Sequence, residues 1–426
     1  MTLSTRGSSI AGTERICMRV IARRNIAHYR GELKDILSLI LQRRIKDGPY
    51  IKQFEERFSK YIGTKYAIAV ASGRLGLFLI LDALSLNKND EVMLPAYTDE
   101  SVLEVIKSLG LAPIFIDIER DTHNIDADFI EGKINSRTKV ILATHIFGRP
   151  CNLEKITEIA KKHSLAVIED CAHAIGAEYN GRRVGSFGAA AYFSFGITKP
   201  FNTFGGGMIT TNDPALYAQI EKRSAHFDYP APAAILKKAL ISYGLFLLTS
   251  PPFFLMFAFP WLLFLSFFDK DLINIYNKTV KPVAKSVASG VKYTNMQALM
   301  GIRQLSNIDT ENESRRRNAG LLMSLIEGKI DTLKDREVLR PTYYFFVVLT
   351  RDASGLAKKL LRKGIDTGKH IMRDCSAIDG KESGCVSASE AVRVSLQIPN
   401  YPRLTETDMR YIAGILAREG TDEVLK

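Results

Sequence analysis

The feature that most restricts what this chain can fold into is a regular alternation, from Tyr66 to Asp170, of short apolar runs with helix-like segments. YAIAVAS (Tyr66 to Ser72), EVMLPA (Glu91 to Ala96), APIFIDI (Ala112 to Ile118), KVILATHIF (Lys139 to Phe147) and LAVIED (Leu165 to Asp170) are too short for globular helices. They are also too continuously apolar to leave one face in water, so each reads as a strand covered on both sides. Helical patterns lie between them, at Gly76 to Leu84, Ser101 to Leu109 and Leu153 to His163. The expected class is α/β, with a mostly parallel central sheet covered by helices. Such sheets bind ligands at the carboxyl ends of their strands.

Other segments complete the plan. A helix with Leu33, Ile36, Leu37 and Ile40 on one face runs to a break at Asp47-Gly48-Pro49, and a second follows from Ile51 to Tyr61. Near the C-terminus, a strand at Tyr343 to Thr350, a helix at Gly355 to Arg362 and a strand at Ala391 to Ile398 predict a small α+β domain. There is no internal repeat. The boundaries drawn from these patterns are a basic arm at 1–28, a large domain at 29–230 and an apolar insertion at 231–282. A helical region at 283–309 returns to the large domain, and the small domain occupies 310–426. The arm carries six arginines against one glutamate in its first 30 residues and lacks the apolar stretch of a signal peptide. It reads as a loosely ordered extension, or as a helix from about Thr13, with Met18 as an alternative start.

A net charge of +12 calls for an anionic partner. Nucleic acid is not expected, because no helix-turn-helix, zinc-finger or aromatic-basic signature is present. Anionic small molecules and an anionic membrane surface remain. Cys17, Cys151, Cys171, Cys375 and Cys385 form no CxxC pair. No metal site or disulfide framework is expected, and a reducing cytoplasm suits them.

Residues 239–268 contain no charged side chain. They exceed the roughly 20 residues of a membrane span, yet Pro251 and Pro252 divide them into halves of 12 and 16 residues. A crossing would also separate the two parts of one globule. The expectation is a helical hairpin dipping into one leaflet, or lying on it, at the cytoplasmic face of a membrane. Lys237, Lys238 and Lys270 would meet headgroups, and Trp261 would sit at the interface. The competing reading is a large apolar interface with a partner subunit.

The chemistry is concentrated between Val167 and Thr211. Asp170 ends a buried strand and His173 follows three residues later. Ser194 and Lys199 flank the end of an aromatic strand, and Gly205, Gly206 and Gly207 come next. An ordered set of this kind suits pyridoxal phosphate. A lysine amine must join the aldehyde, a carboxylate must keep the pyridine nitrogen protonated, and hydroxyls with a helix N-terminus must hold the phosphate. Each residue alone is a weak signal.

The segments Gly48 to Gly73, Asn89 to Thr98, Thr144 to Ile156, Glu169 to Gly188, Phe193 to Thr211 and Lys292 to Asp309 together resemble the DegT/StrS sugar-aminotransferase family of fold-type I pyridoxal-phosphate enzymes. The resemblance implies Lys199 as the Schiff-base lysine, Asp170 at the pyridine nitrogen and His173 beside the ring. It implies Ser194, with Ser72, Gly73 and the neighbouring Arg74, at the phosphate. Lys292 falls where the family reaches the neighbouring subunit's phosphate, which implies a homodimer with shared sites. Asp99 stands where many members carry an aromatic ring, a place Tyr97 could fill, and Lys369 to Cys375 replaces the family's substrate-side loop. His145 reads either as a satisfied histidine at a strand end or as a cofactor- or substrate-side contact. Tyr293, Thr294 and Asn295 read as helix caps.

The implied function is amino transfer from an amino acid such as glutamate to a nucleotide-linked keto-sugar in surface-glycan biosynthesis. Two alternatives stay open: a sugar dehydration on the same scaffold, whose enzymes carry histidine in place of Lys199, and a non-catalytic binding or regulatory protein.

Overall fold

The five apolar runs are strands of one seven-stranded sheet. The computed structural model describes residues 19–266, 290–370, 372–380 and 384–420. In chain order the strands are β1 (Tyr66–Val70), β2 (Glu91–Pro95), β3 (Ala112–Ile116), β4 (Thr138–Thr144), β5 (Ala166–Asp170), β6 (Ala190–Ser194) and β7 (Gly207–Thr211). Their spatial order is β1-β7-β6-β5-β4-β2-β3. The pairs from β3 to β6 are parallel, whereas β7 is antiparallel to both β6 and β1. Two antiparallel steps restore the original direction, so β1, β4, β5 and β6 all end at the same edge.

Covering on both faces follows from the side-chain period of two. Val140 and Leu142 of β4 and Ile168 of β5 enter the core on one side of the sheet. Their neighbours Ile141, Ala143 and Val167 enter the core on the other. β4 is shorter than the run that predicts it, because Phe147 turns at a φ of 56° within a 3₁₀ turn at Ile146–Gly148.

The small domain is a four-stranded antiparallel sheet ordered Asp331–Thr332, Phe346–Leu349, Ser395–Ile398 and Gly368–Lys369. Phe346, Val348, Leu396 and Ile398 pack there with Leu356, Leu360 and Ile412 from two helices. The strand expected over Ala391 to Ile398 is only half present. Val386–Val394 is a helix, in which Ala388, Ala391 and Val394 form a buried stripe at three-residue spacing.

The arm is neither loose nor helical where it is described. Ile21 bridges to Ile365, its amide donates to Gly364 O (2.8 Å), and its carbonyl accepts from Asp366 N. Arg23 makes a forked pair with Asp366, with contacts of 2.9 and 2.7 Å. Backbone groups used in this ladder cannot close helical turns. The part of the expected helix before Arg19 lies outside the described residues.

The apolar insertion forms two helices, α1 (Pro232–Thr249) and α2 (Pro251–Ser266). The break is at Ser250. Pro251 and Pro252 open the second helix instead of ending the first, because first-turn residues need no amide donor. The first helix also begins upstream of the uncharged block, so it is 18 residues long, not 12. Pro260 lies inside α2, just after a π-helical turn at Phe254–Ala258, which accommodates its missing donor and its ring. Ile235 and Ala239 pack with Phe204 and Met296 of the large domain. Phe254 and Phe259 pack on Ala22 of the arm and on Leu361. The outward face carries Leu240, Leu255, Met256, Phe257, Trp261 and Phe264, all exposed. Lys270 lies outside the described residues.

Candidate active site

Three of the strands that end at the common edge bring the central motif together. After β1, Ser72 caps the cradle helix (Gly73–Ala83) by accepting from Leu75 N at 3.1 Å. The first-turn amides of Gly73 and Arg74 are left for an anion. A Cβ at Gly73 would lie 3.0 Å from Ser194 Cβ, so only glycine lets the helix start come this close to the end of β6. Gly206, at a φ of 119°, would place a Cβ 2.3 Å from the Tyr293 ring. Ser72, Gly73, Ser194 and the glycine loop thus form one small-residue cradle, and Arg74 stands half-buried beside it.

Asp170 closes β5 and is 7% exposed. Burial raises its pKa. The Tyr192 hydroxyl, the Ala172 amide (2.9 Å) and the Lys199 charge oppose that rise without cancelling it. The Tyr192 hydroxyl is buried beside Asp170 and makes no hydrogen bond of normal geometry. Lys199 follows a turn in which its amide donates to Gly196 O (2.8 Å). Its Nζ lies 5.4 Å from the centre of the Tyr344 ring, and the Tyr344 hydroxyl donates to Thr198 O at 3.1 Å. His173 packs against Tyr344 with ring centres 4.9 Å apart. Burial holds its pKa well below the ordinary value, helped by the Lys199 and Arg24 charges, so the imidazole is neutral at neutral pH. An anion cradle, a buried carboxylate short of a cation and an amine fit a phosphorylated pyridine aldehyde.

Other expected site residues stand apart. Tyr97 is 1% exposed and packs in the core between His123 and Phe147. Asp99 caps a helix by accepting from Ser101 N. Lys292 bridges to Val70 and holds its ammonium 5.3 Å from the Tyr229 ring centre. Of the replaced loop, Arg373–Asp374 pairs with Tyr97–Thr98. Thr294 forms a capping box with Gln297. Asn295 accepts from Tyr50 N, and the Tyr293 hydroxyl donates to Thr203.

His145 is satisfied. Its Nδ1 accepts from Cys151 N (3.2 Å), so Nε2 donates to Glu169 (3.2 Å). Glu169 also accepts from the amides of Gly185, Phe187 and Gly188 at 2.7–2.9 Å. His145, Glu169 and Cys171 lie close enough to share an ion, but these hydrogen bonds occupy the imidazole and both carboxylate oxygens.

Sequence reading missed Tyr344, Arg24 and Tyr192. Tyr344 and Tyr192 sat within apolar strand patterns that gave no reason to single them out. Arg24 had only the signal of a basic arm. With Lys199 it lines a cleft between the arm, the large domain and the small domain.

The sequence profile described as the DegT/DnrJ/EryC1/StrS aminotransferase family matches residues 29–229 and 272–417. An uncharacterized protein of Methanocaldococcus jannaschii is 28% identical over 394 residues, covering 89% of this chain and 92% of that protein. A GDP-perosamine synthase of Escherichia coli O157:H7 is 42% identical over 180 residues, 42% of this chain and 48% of its own. A dTDP-3-amino-3,6-dideoxy-alpha-D-galactopyranose transaminase of Aneurinibacillus thermoaerophilus is 43% identical over 194 residues, 44% of this chain and 52% of its own. The match therefore spans about half the length of these two enzymes. An aminotransferase from Psychrobacter cryohalolentis has the same fold, with a TM-score of 0.74 at 24% identity over 92% of this chain and 96% of that one.

The Glu169 network makes a stability prediction. Burial alone would raise the Glu169 pKa, but His145 and the backbone amides bring it below the ordinary value. A depressed folded pKa stabilises above the unfolded value, about 4.3, and that contribution fades as pH falls through the folded value. Glu169→Gln removes acceptors from buried donors and should cost about 3 kcal/mol at pH 7. Urea unfolding from pH 7 down to pH 3 should show the gap between mutant and wild type closing below about pH 4.3.

Proposed function

Since this chain belongs to the DegT/DnrJ/EryC1/StrS aminotransferase family, we propose that it transfers an amino group from an amino acid, glutamate in the first instance, to a nucleotide-linked keto-sugar. The family's enzymes depend on pyridoxal phosphate. The carrying observation is the convergence of Lys199, Asp170, Ser194 and the Ser72–Gly73 helix start at one sheet edge. The names of the two sugar-nucleotide relatives support the substrate class.

When bound, the cofactor supplies an aldehyde for the amino group and a ring that spreads negative charge. In this reading the chain's own residues divide the remaining work. Ser72, Gly73, Arg74 and Ser194 hold the phosphate, with the helix N-terminus contributing its dipole. Asp170, ionised, would accept the N–H of a protonated pyridine nitrogen, the cation its burial lacks. His173, neutral, packs beside the ring as a flat wall. Lys199 carries the cofactor and, once displaced, its Nζ takes the α-proton of the donor. In the same reading Lys292 reaches the phosphate of a second copy, so the working unit is a homodimer with shared sites.

Lys199 is also what separates amino transfer from dehydration on this scaffold. A primary amine at that place can bind the aldehyde and return; an imidazole cannot form the same linkage. Borohydride reduction of the yellow protein followed by peptide mass mapping should place the adduct on Lys199, and an adduct on any other lysine would refute the assignment. Lys199→Ala should abolish transamination with the fold intact.

Asp170→Asn should keep the cofactor but lower turnover by about a hundredfold or more. An amide cannot hold the pyridinium charge. Turnover close to wild type would remove Asp170 from the mechanism.

We further propose that the hairpin attaches the enzyme to the cytoplasmic face of a membrane without crossing it. α1 is long and apolar enough to span, and few of its residues are buried. The 16-residue α2 falls short of a span. Both helices pack on the globule through one face, which leaves an apolar outer face with Trp261 suited to an interface. Wild type should float with anionic liposomes, whereas a variant with 239–268 replaced by a short Gly/Ser linker should stay at the bottom of the gradient. A wild type that does not float and needs no detergent would make the hairpin a protein interface.

A further inference from the structure

The cleft above Lys199 has a wall that lies before residue 29, where the family match begins. Arg23, Arg24 and His28 of the arm form that wall, and Arg315, Asn400 and Arg403 line the same cleft. Most of these cations are engaged. Arg23 is forked onto Asp366. Arg315 donates to Glu311 and Asn312, and Arg403 lies over the Phe246 ring of the hairpin. Arg24 differs. Its guanidinium carbon stands 4.7 Å from the centre of the Phe345 ring and 6.0 Å from that of Tyr344, the ring that also carries Lys199. Its Nε is buried without a hydrogen-bond partner, and no ion pair of Arg24 is found among the described residues. A planar cation lying on aromatic faces keeps its edge donors for a ligand.

The same cleft holds unmet acceptors. Asn400 is 5% exposed. Its amide nitrogen is committed to the Arg315 and Tyr343 carbonyls, which fixes Oδ1 as an acceptor, and Oδ1 has no partner. Gln397, 2% exposed, has an Oε1 in the same condition. Buried polar atoms of this kind are normally paired. Donors that would satisfy them are hydroxyl groups, and the anion that would satisfy Arg24 is a phosphate or a carboxylate.

We propose that Arg24 is the oxyanion anchor of the substrate in this cleft, with Asn400 and Gln397 receiving hydroxyl donors beside it. The inference rests on the transaminase reading for what the substrate is, but not for the anion site itself. The oxyanion has two sources in that reaction, the diphosphate of a sugar carrier or a carboxylate of the amino donor. Because Arg24 sits on the docked arm, the arm is then part of the substrate site and not a tail.

The test is calorimetric titration of the holoenzyme with inorganic pyrophosphate and, separately, with glutarate. Wild type should bind at least one. Arg24→Gln should weaken that binding roughly tenfold or more, and Arg24→Lys by less. Arg24→Met, which keeps a long apolar stem on Phe345, should lose binding as Gln does; it serves if the Gln variant is unstable. Loss confined to pyrophosphate assigns the carrier diphosphate, and loss confined to glutarate assigns the donor. Unchanged affinity for both probes in variants of wild-type Tm overturns the proposal, as does a wild type that binds neither. The visible band of the bound cofactor should stay at wild-type intensity in every variant. A protein without that band on Lys199 refutes the proposed function, while the titrations still decide Arg24.

Discussion

Everything at the site depends on one close approach, the start of the cradle helix against the end of β6. Gly73 over Ser194 brings a helix N-terminus, a hydroxyl and the glycine loop within reach of a single anion. The contact in turn requires β1 and β6 to end at the same edge. That holds because β7 lies between them and runs the other way, so two reversals cancel. A side chain at Gly73 or Gly206 would meet Ser194 or the Tyr293 ring, and the cradle would open. The small residues are therefore needed for proximity more than for flexibility.

Adjacent carboxylates on β5 show how the sheet separates structure from chemistry. Glu169 and Asp170 point to opposite faces because strand side chains alternate. Glu169 meets four donors on its side and is held ionised as the tie between β5, His145 and the 185–188 loop. Asp170 meets one backbone amide and an incompletely placed Tyr192 hydroxyl, so burial dominates and raises its pKa. One carboxylate is satisfied by the fold; the other is left needing a cation that the protein does not itself supply.

The large domain was legible in the sequence because its signals are local. Each parallel strand is an apolar run of its own, and Asp170, Ser194 and Lys199 sit where such runs end. What was not legible depends on distant partners. The strand pattern of Ala391 to Ile398 divides into a helix and a strand because Ala388, Ala391 and Val394 find a packing surface that alternation does not reveal. The arm looked like a solvated basic tail because its partners, Ile365 and Asp366, lie more than 300 residues away. Tyr97 is a related case: its sequence position beside Asp99 suggested a ring near the cofactor, but the strand places it in the core against His123 and Phe147.

The arm and the hairpin are mechanically one unit. His28 stacks on Tyr243 of α1 with ring centres 4.2 Å apart and pairs with Glu32, which also accepts from the Tyr243 hydroxyl. Ala22 lies beneath Phe254 and Phe259 of α2. Arg403, which lines the same cleft, rests on Phe246 of α1. The apolar hairpin therefore touches the arm and small-domain walls of the cleft that leads to Lys199. A force or a surface that orients the hairpin also orients those walls, because aromatic stacking and a buried carboxylate between them leave little room for independent movement. In the proposed attachment the membrane would thus be part of the geometry of substrate entry, and the apolar insertion would have a reason to sit beside the active site instead of at a chain terminus.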